Sequence, residues 1–307
     1  MLNLIKIQFM KNLLFCLFFA FTINYASAQG CSDAGICAVG NVTETNKKSF
    51  KNAVDIGTVF STGDVDLQYV SPYVSYIRTF GDNFAVTSRL TYSSASGSFG
   101  RNSGLGDVFI SGNYKFESKN NKQWGAILGF KMPLSNGNQT PSGIALPMDY
   151  QSSLGTFDMF VGTNLSLEKW DFNAVVQVPL TQNENTYFNE LNASNDFPST
   201  NQFNRKADAL FRTTYRFETS NQKFNFKPSV LFIYHLGDDS FTNLAGKSQA
   251  IVGSEGLTIN MNFATTYNVN DISSIELSLA APALIRDVRP DGLTRGFVAG
   301  VSYKVIF

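Results

Sequence analysis

The chain has 307 residues, with 24 Lys and Arg against 24 Asp and Glu, so its formal net charge is zero. That balance implies neither a nucleic-acid partner nor an anionic membrane surface. Its 14% aromatic content and single histidine suit strands and turns and offer almost no imidazole for catalysis.

At the start of the chain, Lys6 and Lys11 precede the apolar stretch NLLFCLFFAFTI, and ASA follows. Residues 1–28 therefore read as a secretory signal peptide cleaved after Ala28, with Met10 as an alternative start. The apolar run is short for a hydrocarbon layer about 30 Å thick. No later window reaches the roughly 18 uncharged apolar residues of a spanning helix. Cys16 leaves with the signal, and Cys31 and Cys37 remain in a 29–52 segment that either tucks into a lumen as a hatch or hangs in the periplasm. An even pair in an oxidising compartment most simply forms a disulfide. Acylation at Cys31 and a metal site are the alternatives, although AQG is a poor lipobox and no histidine lies nearby. No metal and no cofactor is expected.

From residue 53 to 307 the chain alternates with period two, which predicts about twelve strands, each with one greasy face. VDLQYVSPYVSYIRTF is ambiguous because its phase slips near Pro72, where a bulge is expected. GDVFISGNYKFE sets Val108, Ile110, Tyr114 and Phe116 against Asp107, Ser111, Asn113 and Lys115. WGAILGFKMPL alternates Trp124, Ala126, Leu128 and Phe130 with Gly125, Gly129 and Lys131. TFDMFVGTNLSL and DFNAVVQVPL behave alike, and ADALFRTTYRFE opposes Phe211 and Phe217 to Asp208, Arg212 and Arg216. FNFKPSVLFIYHL opposes Phe224, Phe226, Phe232 and Tyr234 to Lys227, Ser229 and His235. LTINMNFATTYNV, SIELSLAAPALIR and RGFVAGVSYKVIF complete the series, the last with Phe297, Ala299, Val301, Tyr303 and Val305 in phase.

Short turns are expected near 81–83, 118–123, 168–169, 219–223 and 270–271, and longer loops near 97–104, 136–152, 183–204, 238–253 and 287–294. Phe80 and Phe84, Phe116 and Trp124, and Phe217 and Phe224 bracket three of the short turns, with Trp170, Tyr267 and Phe307 at the same level. Rings at one height form an interfacial girdle. Together these features predict an all-β fold: a transmembrane antiparallel up-and-down barrel of the bacterial outer membrane, with short periplasmic turns and longer outer loops. The aromatic Phe307 on an alternating strand resembles the signal read by the barrel-assembly machinery. The expected partners are that machinery, outer-membrane lipid and a small-molecule solute.

Charge on the lipid face is costly, so the polar face must point inward. It carries Arg89, Lys115, Lys131, Arg212, Arg216, Lys227, Arg286 and Lys304, with Asp107, Glu117, Asp158, Asp208, Glu218 and Glu276. These nearly balance, as expected of an ion-pair network, with solute-selecting charged rings as the alternative. Phe109, Ile127, Phe160, Val175, Leu210, Leu231, Ile233 and Leu284 also point inward, either packing round a plug or forming a greasy stripe. No nucleophile-elbow, zinc-helix or phosphate-loop motif sits on a suitable element. His235, with Asp239 and Ser240 close in sequence, is the only imidazole base, and the chain is not expected to be an enzyme.

The stretch SGLGDVFISGNYKF (103–116) resembles the meta-pathway phenol-degradation transporter family, within the wider class of fatty-acid and aromatic-hydrocarbon outer-membrane transporters. Gly104 to Val108 match that family's G-L-G-D-V strand, whereas its Lys-Tyr ending is here reversed as Tyr114–Lys115. GFKMPLSNG and LGTFDMFVGTNLSL (154–167) resemble the next two strands. The resemblance implies passive uptake of small hydrophobic or amphipathic molecules. A general polar-solute porin and a non-transporting adhesin or scaffold are the alternatives.

Overall fold

The computed structural model describes residues 50–63, 65–191, 196–291 and 296–307. The signal peptide, nearly all of the 29–52 segment, Cys31 and Cys37 lie outside the described residues. The alternating segments form β1 (Asn52–Thr62), β2 (Gln68–Phe80), β3 (Phe84–Gly97), β4 (Gly100–Lys115), β5 (Gln123–Pro133) and β6 (Asp158–Ser166). They continue as β7 (Trp170–Pro179), β8 (Asp208–Tyr215, extended by Phe217–Glu218), β9 (Phe224–His235), β10 (Gly256–Asn268), β11 (Ser273–Leu284) and β12 (Val298–Ile306). Each pairs antiparallel with its chain neighbours, and β12 returns to β1 with Ala53 opposite Ile306 and Ser61 opposite Val298. Reciprocal backbone hydrogen bonds between Asn52 and Phe307, both 2.8 Å, tie the seam at its inner end. A closed twelve-strand wall pairs its own ladder groups and leaves no sheet edge, the condition for strands to cross lipid. Among the described residues no helix is long and apolar enough to cross a membrane.

The alternation is inverted relative to a soluble protein. In β5 the outward Leu128 is half exposed, while the inward Lys131 is wholly buried. Small inward residues make room for large ones on the next strand: a Cβ on Gly129 would lie 2.3 Å from the Phe160 ring, and one on Gly162 would lie 2.6 Å from Val175. Narrow barrels fill their interiors through this pairing of sizes.

Local chemistry sets the inner turns. Asn120 and Asn121 both take positive φ between the bridged Lys119 and Lys122, the conformation of a type I′ hairpin. Asn270 accepts from the backbone amides of Ile272 and Ser273, at 3.0 and 2.8 Å, and closes the β10–β11 turn. The expected girdle is present: Phe80 and Phe84 (ring centroids 5.9 Å apart), Trp170 and Tyr215 (4.9 Å), and Phe224 and Tyr267 (5.0 Å) sit beside these turns. Phe116, Trp124, Phe217 and Phe307 are exposed at the same rim.

Two sequence expectations need correction. No bulge falls at Pro72: the β1–β2 register runs unbroken from Asn52↔Arg78 to Thr62↔Gln68. The β2–β3 ladder skips Ser71 and Pro72 without shifting, because proline has no amide hydrogen to donate. The phase misled because Tyr69 and Tyr73 occupy the inward face with Ser71 and Ser75, while Val70, Val74 and Tyr76 face lipid. The bulges lie instead in β4, where Leu90 opposes Val108 but Tyr92 opposes Leu105, and in β11 beside Pro282. The second correction is at 97–104, which is not a long loop. β3 and β4 run on to Gly97 and Gly100, and only Ser98 and Phe99 turn the chain.

Candidate functional site

The lumen is layered. Toward the outer side of the barrel, inward-facing positions on β4, β5, β6, β7, β8 and β9 place Asp107, Lys131, Asp158, Gln177, Asp208 and His235 in one buried belt. Lys131 Nζ lies 3.2 Å from Asp158 and 3.7 Å from Asp107, and donates to Thr156 Oγ1 at 3.2 Å. Gln177 donates to Asp158 at 2.6 Å. His235 is clamped by its Nδ1 to Asp208 (2.7 Å) and its Nε2 to Asp239 (2.8 Å).

Loops complete the belt. Arg205, from the β7–β8 loop, pairs with Asp208, Asp291 (3.5 Å) and Asp158 (4.0 Å). Arg286 reaches Asp291 at 2.5 Å and the Ser254 carbonyl at 3.0 Å. Burial alone would lower the Arg205 guanidinium, but Asp208, Asp291 and Asp158 outweigh it and raise it, so it stays charged. Burial would likewise raise the Asp291 carboxyl, yet Arg286 and Arg205 hold it well below the usual carboxylate range.

Outer loops cap the belt with two apolar clusters. In one, Phe99 meets Tyr150, Tyr187 and Phe197 edge-on at 5.5, 6.0 and 5.8 Å. The other joins Met148, Leu154, Phe203, Phe241 and Ile251. The β7–β8 loop is pinned to the β5–β6 loop by Asn185, whose amide donates to the carbonyls of Gly137 (2.9 Å) and Leu146 (3.0 Å). Asn183 adds a bond to the Leu154 carbonyl at 2.6 Å.

Beneath the belt, Phe109, Ile127, Phe160, Val175, Leu210 and Leu231 pack on one another, with Ile233 against them. They form a solid layer along the inner faces of β4 to β9. Leu284, expected inward, faces lipid because the β11 bulge advances the phase by one residue, leaving it opposite Ile259.

Alongside and below this layer is a cavity of 170 Å³ bordered by β1, β2, β3 and β8 to β12. Its charged lining is Arg89, Arg212 and Lys227 with Glu276. Lys227 Nζ pairs with Glu276 at 2.7 Å, and the Arg89 guanidinium lies 3.6 Å from the centroid of the Tyr73 ring. Nearer the inner mouth Arg216 pairs with Asp171 at 2.7 Å, and Lys115 is half exposed at the inner end of β4. Glu117 and Glu218 are exposed at the turns rather than in the lumen. Lys304 stands opposite Asp55 across the seam.

The charges are thus sorted by height. Among the described residues the belt holds five carboxylates (Asp107, Asp158, Asp208, Asp239, Asp291) beside Lys131, Arg205, Arg286 and His235, whereas the cavity wall holds three cations and one carboxylate. Periodicity missed Arg205 and Asp291 because loop residues have none. Asp55 and Asp171, however, sit in phase on β1 and β7 and were legible had the alternation been followed to the strand ends.

No family model and no curated protein matches the sequence. Among solved structures, an outer membrane channel from Pseudomonas putida F1 matches with a TM-score of 0.60 at 14% identity, covering 85% of this chain and 96% of that chain. The NanC porin matches with a TM-score of 0.50 at 8% identity, over 83% of this chain and 100% of that chain. With its closed wall, lipid-facing apolar band and aromatic rim, the chain is a twelve-stranded β-barrel of the bacterial outer membrane.

Proposed function

We propose that this barrel is a passive channel admitting small amphipathic molecules, of the hydrophobic-to-amphipathic kind that the family resemblance implies. The observation that carries the reading is the lumen cavity, which lies beside the apolar layer yet is lined by charged and hydroxyl groups. Such a lining gives a molecule with an apolar body and a polar head a place for each part. The fold shared with an outer membrane channel and a porin is consistent with a conducting role. The loop cap makes passage from outside conditional on loop movement, which favours restricted over general diffusion. His235 is held between two carboxylates and serves the belt. Insertion through recognition of β12 and Phe307 by the barrel-assembly machinery belongs to the same proposal.

The test is solute flux into liposomes containing the refolded barrel, comparing short-chain amphiphiles with sugars of similar mass. Faster entry of the amphiphiles is expected. Equal entry of sugars would favour a general porin, and no entry of any solute would leave a non-transporting barrel.

A further inference from the structure

We infer that His235 is a proton-operated latch: as an imidazolium it holds the β9–β10 loop onto the barrel wall, and loss of its proton loosens the outer cap. The inference rests on the channel reading, to which it adds a way of opening the cap.

The proton count comes from geometry. Nδ1 of His235 lies 2.7 Å from Asp208 and Nε2 lies 2.8 Å from Asp239, with the ring and both carboxylates buried. A carboxylate accepts and does not donate, and a neutral imidazole carries only one N–H. Two such contacts therefore need the doubly protonated ring.

The two carboxylates depend on that charge unequally. Asp208 also pairs with Arg205. Asp239 is wholly buried, and its Oδ1 accepts from the Lys206 amide at 2.8 Å as well as from His235. Its Oδ2 has no hydrogen-bond partner among the described residues, and Arg205 acts on it from farther off. From the β11–β12 loop Arg286 opposes the imidazolium but is itself paired with Asp291, and on β10 the residue opposite His235 is Gly256. A neutral ring would keep one carboxylate and turn a lone pair toward the other. Asp239 would then be a buried carboxylate without its close cation, a costly state that outward movement of the loop relieves.

Asp239 is also where the cap is tied together. Lys206 belongs to the β7–β8 loop. Within the β9–β10 loop, the Asp239 amide donates to Ser254 Oγ at 2.7 Å, and its carbonyl accepts from the Ile251 amide at 2.8 Å. Ile251 packs with Phe203 and Phe241 in one of the two apolar clusters of the cap. Letting go of Asp239 therefore loosens the cap at that cluster. The docked cap holds one proton more than the released cap, so raising the pH favours release, by up to about tenfold in the open-to-closed ratio per pH unit.

The test follows the single histidine of the sequence by NMR of the isotope-labelled ring in the refolded full-length barrel, from about pH 6 to about pH 9. Single-channel recording and tryptic cleavage after Arg205 and Lys206 are measured in parallel, the cleavage relative to that at the exposed Lys122 of an inner turn. At neutral pH both ring nitrogens should be protonated. As one loses its proton, open probability and relative cleavage should rise over the same interval, by up to about tenfold per pH unit. Asp239→Asn removes the carboxylate that needs the charge and should abolish both increases, whereas His235→Gln should leave the cap loose at every pH. A singly protonated ring at neutral pH, or cleavage that stays level while the ring titrates, would overturn the inference, and both are read on the wild type whether or not the variants refold. Cleavage that rises with pH without current at any pH would overturn the channel reading and leave the latch standing.

Discussion

Leu277 and Ser278 are adjacent in β11, yet the structure sends them to opposite solvents. Leu277 faces lipid, 52% exposed, opposite Val301 and Thr265. It is the fifth residue of a twelve-residue strand and so stands close to the middle of the hydrocarbon. Ser278 faces the lumen cavity. A lysine on the lipid face near the midplane costs about 2–4 kcal/mol. That corresponds to roughly a 30- to 900-fold loss in the folded-to-unfolded ratio. A lysine at 278 enters a polar cavity rather than hydrocarbon, where its chief penalty is repulsion from cations already there, about 1 kcal/mol at 4 Å with water-like screening. Glu276 on the same face of β11 reduces that further. Urea titration of both variants in lipid vesicles, followed by tryptophan fluorescence and heat-modifiable gel mobility, measures the difference directly. Leu277→Lys should lose about 2–4 kcal/mol, and Ser278→Lys about 1 kcal/mol or less. Equal losses, or the reverse order, would refute the assignment of Leu277 to the lipid and Ser278 to the lumen.

Other outcomes follow from the same geometry. Lys131→Met should destabilise the barrel by about 3–5 kcal/mol in the same titration, because it leaves Asp107 and Asp158 buried beside one another with one fewer cation. Gly129→Ala should cost about 1–3 kcal/mol, since its methyl would press on the wholly buried Phe160 ring; an unchanged urea midpoint would mean that the ring can give way. Asp291 supplies an acid-sensitive contribution. Its carboxyl is depressed in the folded chain, so its stabilisation is present above the unfolded value of about 3.9 and lost as pH falls below it. Wild type and Asp291→Asn should therefore differ most in urea midpoint at neutral pH, and the difference should shrink steadily as pH falls below about 3.9, vanishing only below the depressed folded value.

The wall was legible in the sequence because a lipid-spanning strand has no freedom of phase: one charged residue on the wrong face costs more than local packing can return. Leu128 against Lys131, or Phe224 and Phe226 against Lys227, declare their faces without any structure. The reading failed where a second principle overrode alternation. In β2, tyrosines serve both the lumen and the lipid, so Tyr69, Tyr73 and Tyr76 blur the period although the register is regular. In β11 the bulge turned Leu284 outward. At Gly97 and Gly100 a tight two-residue turn was hidden in a polar, glycine-rich stretch that also suits a loop. The belt was half visible: strand-borne Lys131, Asp158, Asp208 and His235 could be placed inward. Arg205, Asp239 and Asp291 arrive from loops whose meeting is a tertiary event. The separation of charge by height follows from register and loop docking together, and composition showed only that the signs balance.

Docked outer loops close the lumen from outside. The most direct measurement is the single-channel current of the refolded barrel before and after residues 184–202 are replaced by a short glycine–serine turn. That deletion removes Asn185, Tyr187 and Phe197, which join the β7–β8 loop to the cap. Wild type should be silent or open briefly at low amplitude, and the shortened variant should carry a steady ohmic current. A wild type already conducting steadily, at the amplitude of the variant, would contradict the claim.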